Sequence, residues 1–316
     1  MKQIEIYDTT LRDGAQAEDV SFTLEDKLRI VEQLDNLGIH YIEGGFPGAN
    51  PKDTKFFQEV KSFHLKKSRI VAFGSTRKVS NKAKADPNIE ALISAETSHV
   101  TVVGKSWDFH VTEALGVTLK QNLEMIEDSI AYLKSKGKYI FFDAEHYFDG
   151  FKYNPEYALQ TLKVSIRAGA DCLVLCDTNG GSMPGEIGRI IKNTRRECKA
   201  DLGIHCHNDS DLAVANSIIA VGAGVTHIQG TINGHGERCG NANLCSIIPN
   251  LKLKLGSNCI SDEQLKHMRA VSHFVSEIAN IPPNRRQPYV GDSAFTHKGG
   301  LHVHAVRKQA MTYEHI

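Results

Sequence analysis

Eight times along the chain a short run rich in Val, Ile and Phe gives way to a longer stretch of helical period, and this alternation constrains the fold more than any other feature. The short runs are IEIYDTT (4–10), YIEGGF (41–46), RIVAFGS (69–75), HVTVVGK (99–105), YIFFDAE (139–145), CLVLCDT (172–178), DLGIHCH (201–207) and HIQGTIN (227–233). Between them, helices are predicted over 24–37, 118–136, 155–168, 184–197 and 211–222. The first of these shows the rules plainly: Leu28, Val31, Leu34 and Leu37 share a face, Thr23 can cap the start and Gly38 can end it. Strand and helix alternating at intervals of roughly 30 residues predict an α/β protein, a closed (β/α)8 TIM barrel. An open doubly wound sheet is the competing arrangement, but its G-x-G-x-x-G turn after the first strand is missing. The rhythm stops near residue 255. Residues 1–255 are therefore assigned to the barrel and 256–316 to a mainly helical accessory segment. That segment is too small to bury a generous core alone, so it packs on the barrel or on a second subunit.

Composition narrows the class. With 37 basic and 37 acidic side chains and a pI near 7.2, the chain has no general attraction for nucleic acid or anionic membrane. No apolar stretch approaches the ~20 residues that span a bilayer, and no signal-peptide pattern opens the chain. Seven scattered cysteines without a C-x-x-C pair read as thiols of a reduced, cytoplasmic protein. The final MTYEHI carries no stop signal, so a natural chain that continues is the expectation.

The barrel assignment predicts where chemistry sits, at the carboxyl ends of the strands. Polar residues gather there: Asp8, Arg12 and Asp13 after the first strand, Glu43 on the second, Asp143 and Glu145 on the fifth, Asp177 and Thr178 on the sixth, and His205 and His207 on the seventh. Alternation puts His205 and His207 on one side of their strand, with Cα atoms ~6.6 Å apart. A lone H-x-H is weak, and a pair of ordinary core or surface histidines is an even alternative. Position shifts the balance, because strands 7, 8 and 1 are neighbours in a closed barrel. Asp13 follows strand 1, and Asn241 in GERCGNANL opens the segment after strand 8. One carboxylate, two imidazoles and one amide oxygen would face a common centre, a set suited to Mg, Mn or Zn with room for substrate oxygens. Beside such an ion, Arg12 can stabilise charge developing on a substrate oxygen; the plain alternative is a surface ion pair with Asp13. Glu145, ending an apolar strand, suits proton transfer, or else pairs with a barrel Arg or Lys. Glu43 carries the same two readings, substrate contact or buried ion pair. The glycines of GGSMPGE and the basic TRKVSNKAK (76–84) read first as turn and solvated loop, and second as phosphate contacts.

DTTLRDGAQ, HCHND and NGHGERCGNANL together resemble the signatures of the metal-dependent Claisen-condensing barrels, the 2-isopropylmalate, homocitrate and citramalate synthases. The similarity covers essentially the whole chain. YIEGGFPGANPKD, FGSTRK, FFDAEHYFDGFKYNPEYAL, VLCDTNGG and THKGGLHVHAV are similar to the citramalate branch; the alternative is a sibling synthase taking another 2-keto acid. The resemblance implies an acyltransferase condensing acetyl-CoA with pyruvate to (R)-citramalate, on the way to isoleucine. It implies Asp13, His205, His207 and Asn241 as metal ligands, Arg12 on the keto oxygen, Glu145 near the acetyl group and Thr178 near the substrate carboxylate. His297 matches a histidine that reaches the active site of the other subunit, which implies a homodimer, and Tyr313 matches a second such residue. Family members also carry a carboxyl-terminal domain for feedback regulation, which this chain stops before. Acyl-CoA lyases of the same barrel family have a longer glycine-rich loop with a reactive cysteine where this chain has the short GERCGN containing Cys239.

Overall fold

A computed structural model describes residues 3–313. Eight parallel strands close in chain order: β1 (Glu5–Asp8), β2 (Tyr41–Gly45), β3 (Arg69–Ser75), β4 (His99–Lys105), β5 (Tyr139–Glu145), β6 (Cys172–Asp177), β7 (Asp201–Cys206) and β8 (His227–Gly230), the last paired with the first. Helices α1 (Leu24–Leu37), α2 (Pro51–Glu59), α3 (Pro87–Ser94), α4 (Leu119–Ser135), α5 (Tyr147–Tyr153), α6 (Pro155–Ala168), α7 (Pro184–Glu197) and α8 (Ala213–Gly222) connect them. The arrangement is a (β/α)8 barrel, as the alternation predicts. Then come α9 (Leu244–Pro249), α10 (Asp262–Leu265), α11 (Met268–Ile278) and α12 (Gly300–Lys308). No helix among the described residues is long and apolar enough to cross a membrane.

Local chemistry sets the helix ends. At α1 the Thr23 hydroxyl accepts from the Asp26 N–H at 3.1 Å and the Asp26 carboxylate accepts from the Thr23 N–H at 2.8 Å, a reciprocal cap contributing about 1 kcal/mol. Gly38 then takes φ 86°, which a side chain would strain, and stops the helix where its sequence position predicts. Outward strand residues such as Ile6, Ile42, Val100, Phe142, Leu173 and Ile204 join the helices in one large apolar core. Inward residues Tyr7, Tyr41, Val71, Phe141, Cys172, Val174 and Cys176 form a second, separate core inside the barrel. Strand alternation divides the two. Cys259, Ile260, Met268, Val271, Val275 and Val290 belong to the outer core, so the stretch up to about residue 290 packs on the barrel. From Asp292 to Tyr313 no described residue is buried.

The lower barrel interior is largely aromatic, with the Tyr41 hydroxyl donating to Glu5 Oε1 at 3.1 Å at its base. Phe141 lies 5.4 Å from Tyr7, 5.0 Å from Tyr41 and 4.8 Å from His227, centroid to centroid. Gly203 on β7 makes room for this: a Cβ there would come within 2.7 Å of His227 Cδ2. His227 is buried, and neither ring nitrogen has a hydrogen-bond partner among the described residues. Burial lowers the pKa of His40 to about 4, of His99 to about 4 and of His227 to about 3, against an ordinary 6.5. The unfolded chain binds protons at these sites before the fold does. Their contribution to stability is therefore complete above pH 6.5 and lost as pH falls from 6.5 towards 4. Asp8 and Asp143, raised to about 7 by burial from an ordinary 3.8, work in the opposite sense over the same window. A difference measurement isolates the ring. The melting temperature of His227→Phe, followed by circular dichroism, is expected to gain steadily on the wild type as pH drops from about 7 to about 5.

Candidate active site

The DTTLRDG turn is wound on one carbonyl. Thr9 O accepts from the N–H groups of Arg12, Asp13 and Gly14 at 3.1, 2.8 and 3.0 Å. Asp8, which the sequence placed with the reactive groups, points away from the barrel axis and braces the turn: it accepts from Thr10 N at 2.9 Å and from Thr10 Oγ1 at 2.8 Å, while Thr10 Oγ1 accepts from Ile232 N after β8. Asp177 is likewise turned outward, holding Ser182 at 3.0 Å. The turn thus aims Arg12 and Asp13 into the barrel mouth and ties them to its eighth strand.

There Asp13 meets the two histidines. His205 Nε2 lies 3.2 Å and His207 Nε2 3.9 Å from Asp13 Oδ2, and all three residues are buried. One ligand atom from each falls within 4.8 Å of the others, close enough to hold a single ion. Asn241 bridges His207 across a short antiparallel pairing, which sets the two side chains on the same side. Its Oδ1 is buried without a hydrogen-bond partner among the described residues, a cost that a cation would remove. His205 Nδ1 donates to Gln229 Oε1 at 2.8 Å, which turns Nε2 towards Asp13 and the common centre, where its lone pair can bind an ion once Nε2 is unprotonated; Gln229 Nε2 in turn donates to Asp143 at 3.1 Å. The donor set fits a divalent ion. His207 needs one adjustment: Arg238 Nη2 donates to its Nδ1 at 2.7 Å, so Nε2 becomes free only when Arg238 withdraws towards Asp209, to which it already donates at 2.7 Å.

Arg12 is held from two sides. Its Nε donates to Glu43 Oε2 at 2.6 Å, its Nη1 lies 3.4 Å from Asp13, and its guanidinium sits 4.0 Å over the Phe73 ring. Burial opposes the charge, but the Asp13 and Glu43 carboxylates outweigh it and raise the Arg12 pKa. Asp13, although buried, is held well below the usual carboxylate range by Arg12 and His205. Glu43 spends both oxygens: Tyr7 donates to Oε1 at 2.8 Å and Arg12 occupies Oε2. It stands behind Arg12, the ion-pair arrangement of its two sequence readings.

Across the mouth, Glu145 ends β5 and pairs with Lys105 at 2.6 Å. The next residue, His146, takes φ 55°, a left-handed turn costly for a side chain, and donates its N–H to Thr178 Oγ1 at 2.9 Å. That leaves the Thr178 hydroxyl proton free to be donated. The basic stretch 76–84 is organised by its own contacts: Arg77 is buried, pairs with Asp128 at 2.6 Å and donates to the Asn81 carbonyl. His297 and Tyr313 lie on the exposed segment with ring centroids 4.4 Å apart, and the Tyr313 hydroxyl is hydrogen-bonded to His302. Within one chain they meet each other. Gln229, Lys105 and Arg238 escaped the sequence reading; strand parity alone would have put Gln229 and Lys105 inside the barrel.

Residues 3–275 match the HMGL-like family profile. The chain belongs to the HMGL-like family. It is 57% identical over 316 residues to the (R)-citramalate synthase of Geobacter sulfurreducens and 58% identical over 316 residues to that of Aquifex aeolicus. Each alignment covers all of this chain and 60% of the relative, so the chain spans about three fifths of their length. Among solved structures, an HMG-CoA lyase of Bacillus subtilis is similar in fold, with a TM-score of 0.75 at 19% identity, covering 90% of this chain and 97% of that one. For this HMGL-like barrel, equilibrium dialysis against Mn2+ is expected to show one ion per chain, and Gln229→Leu to weaken it about 10–100-fold by releasing His205.

Proposed function

We propose that the chain condenses acetyl-CoA with pyruvate in a Claisen-type reaction, giving (R)-citramalate and free CoA, in the cytoplasm and on the route to isoleucine. The observation that carries this is the meeting of Asp13, His205 and His207 beside a doubly braced Arg12, in a chain more than half identical to citramalate synthases. Bound by these three residues and Asn241, a divalent ion such as Mg, Mn or Zn supplies Lewis-acid polarisation of the keto acid.

The chain's own residues do the rest. Thr178 donates a hydrogen bond from its hydroxyl to the carboxylate of pyruvate. Glu145 takes a methyl proton from acetyl-CoA, and the C–H electron pair moves into a new C=C bond as the thioester oxygen gains charge. The resulting enolate attacks the keto carbon, whose oxygen becomes an alkoxide beside the Arg12 guanidinium. Arg12 is already fixed by Glu43 and Asp13, so little reorganisation is needed at that moment. Water then cleaves the thioester and releases CoA. A homodimer brings the accessory segment of a second copy, with His297 and Tyr313, over this mouth; the exposure of Leu301 and Met311 on the same segment supports such a contact.

A free-thiol assay with pyruvate, 2-oxoisovalerate and 2-oxoglutarate tests the reading. Pyruvate is expected to give the fastest CoA release, and a clear preference for either larger acid would replace it with a sibling synthase. Asp13→Asn, which preserves shape while removing the charge, is expected to cut kcat by at least about 100-fold with the circular dichroism spectrum unchanged.

A further inference from the structure

Condensation of a thioester with a keto acid places negative charge on two different oxygens in succession. The keto oxygen has Arg12. The thioester oxygen needs a cation of its own, and the barrel mouth has few to offer. Arg77 is engaged by Asp128, Arg238 by Asp209, and Lys152 by Ser182 and Glu186. Lys105 remains.

Strands β4 and β5 run in register to their ends, with Lys105 directly opposite Glu145. Thr101 and Phe141 point into the barrel, so by the two-residue period Lys105 and Glu145 do too, in the top layer of their strands. Their side chains are 27% and 25% exposed, and both line a cavity of about 600 Å3 together with Ser75, Asn88, Val103 and Met125. A small acyl group entering there meets a carboxylate and an ammonium 2.6 Å apart.

Building on the condensation reading, we propose that Lys105 is the catalytic cation that receives the enolate oxygen of acetyl-CoA. Before reaction its charge is offset by the Glu145 carboxylate. When Glu145 accepts the methyl proton it becomes a neutral acid, and the electron pair appears on the thioester oxygen instead. Lys105 exchanges one anionic partner for another, and no unpaired charge is created in the half-buried cavity. Attack on the keto carbon then carries the charge across to Arg12, the new alkoxide takes up the proton that Glu145 releases to the solvent-linked mouth, and Lys105 returns to the regenerated carboxylate.

The test uses the 316-residue chain loaded with Mn2+ and compares Lys105→Met, Lys105→Arg and Glu145→Gln. Lys105→Met is expected to lower kcat by about 100-fold or more while the KM for pyruvate and the Mn2+ affinity stay within about twofold. Its kinetic isotope effect with trideuteroacetyl-CoA should exceed that of the wild type, and Lys105→Arg should restore part of the rate. The Lys105→Met/Glu145→Gln pair should be no worse than the poorer single variant, because the two act as a unit. Should Lys105→Met lose its fold by circular dichroism, Lys105→Gln reads the same quantities. A kcat within about threefold of wild type, or a loss confined to the KM for acetyl-CoA, overturns the proposal while leaving the condensation intact. A wild type that releases no CoA with any keto acid removes the condensation reading and this assignment with it.

Discussion

A guanidinium largely withdrawn from water at the mouth of a barrel must be surrounded by anions, and the arrangement of the whole mouth follows from how Arg12 meets that demand. Two polar chains run from it. One passes through Glu43 and Tyr7 to Thr101 on β4; the other passes through Asp13, His205 and Gln229 to Asp143 on β5. Contributions from β1, β2, β4, β5, β7 and β8 are thus linked in one buried network. Each charge is tolerable only because its neighbour is present, and removing any one strands the next at several kcal/mol. Such a network adds little net stability compared with an apolar filling. What it provides is fixed geometry, with dipoles and charges already oriented towards a reacting centre.

The network sits where it does because the barrel interior changes character along its axis. Inward residues near the base are mostly aromatic, with Tyr7, Tyr41, Phe141 and His227 in mutual contact. One or two layers higher the same strands present Glu43, Asp143, His205 and Gln229, all buried. The lower layers exclude water and hold the strands in register. The upper layers spend that stability on groups that would rather be solvated. Asn241 Oδ1, buried and without a hydrogen-bond partner among the described residues, marks the point at which a ligand would complete the mouth.

How much of this the chain announces depends on range. Both ends of α1 were legible because Thr23 and Gly38 act through their own backbone neighbours. The end of β8 was not: HIQGTIN reads as a strand to residue 233, but pairing stops at Gly230, and Asn233 turns left-handed at φ 62°. Asp8 and Asp177 look identical in kind to Asp13 until strand parity is applied, when both fall outside the barrel and become turn braces. The convergence of Asp13 with His205 and His207 could be anticipated from strand adjacency alone. The partners that orient them could not, since the contacts of Gln229 with His205 and of Lys105 with Glu145 depend on side-chain heights that only the closed register sets.

The two cations of the mouth differ in a way that their tasks explain. Arg12, with 15% of its side chain exposed, is clamped by two carboxylates and stacked on Phe73, with its pKa pushed further up. That suits a group whose only duty is to be charged and stationary. The Lys105–Glu145 pair closes β4 and β5 with about a quarter of each side chain exposed. A carboxylate that must take up and surrender a proton on every cycle needs that contact with water, and a compact ammonium on a flexible stem can follow charge as it moves from one oxygen to another. Exchanging the two positions would leave the buried one mobile and the exposed one idle. The depth of Lys105 and Glu145 is therefore part of the chemistry, set by the inward residues that β4 and β5 have already placed below them.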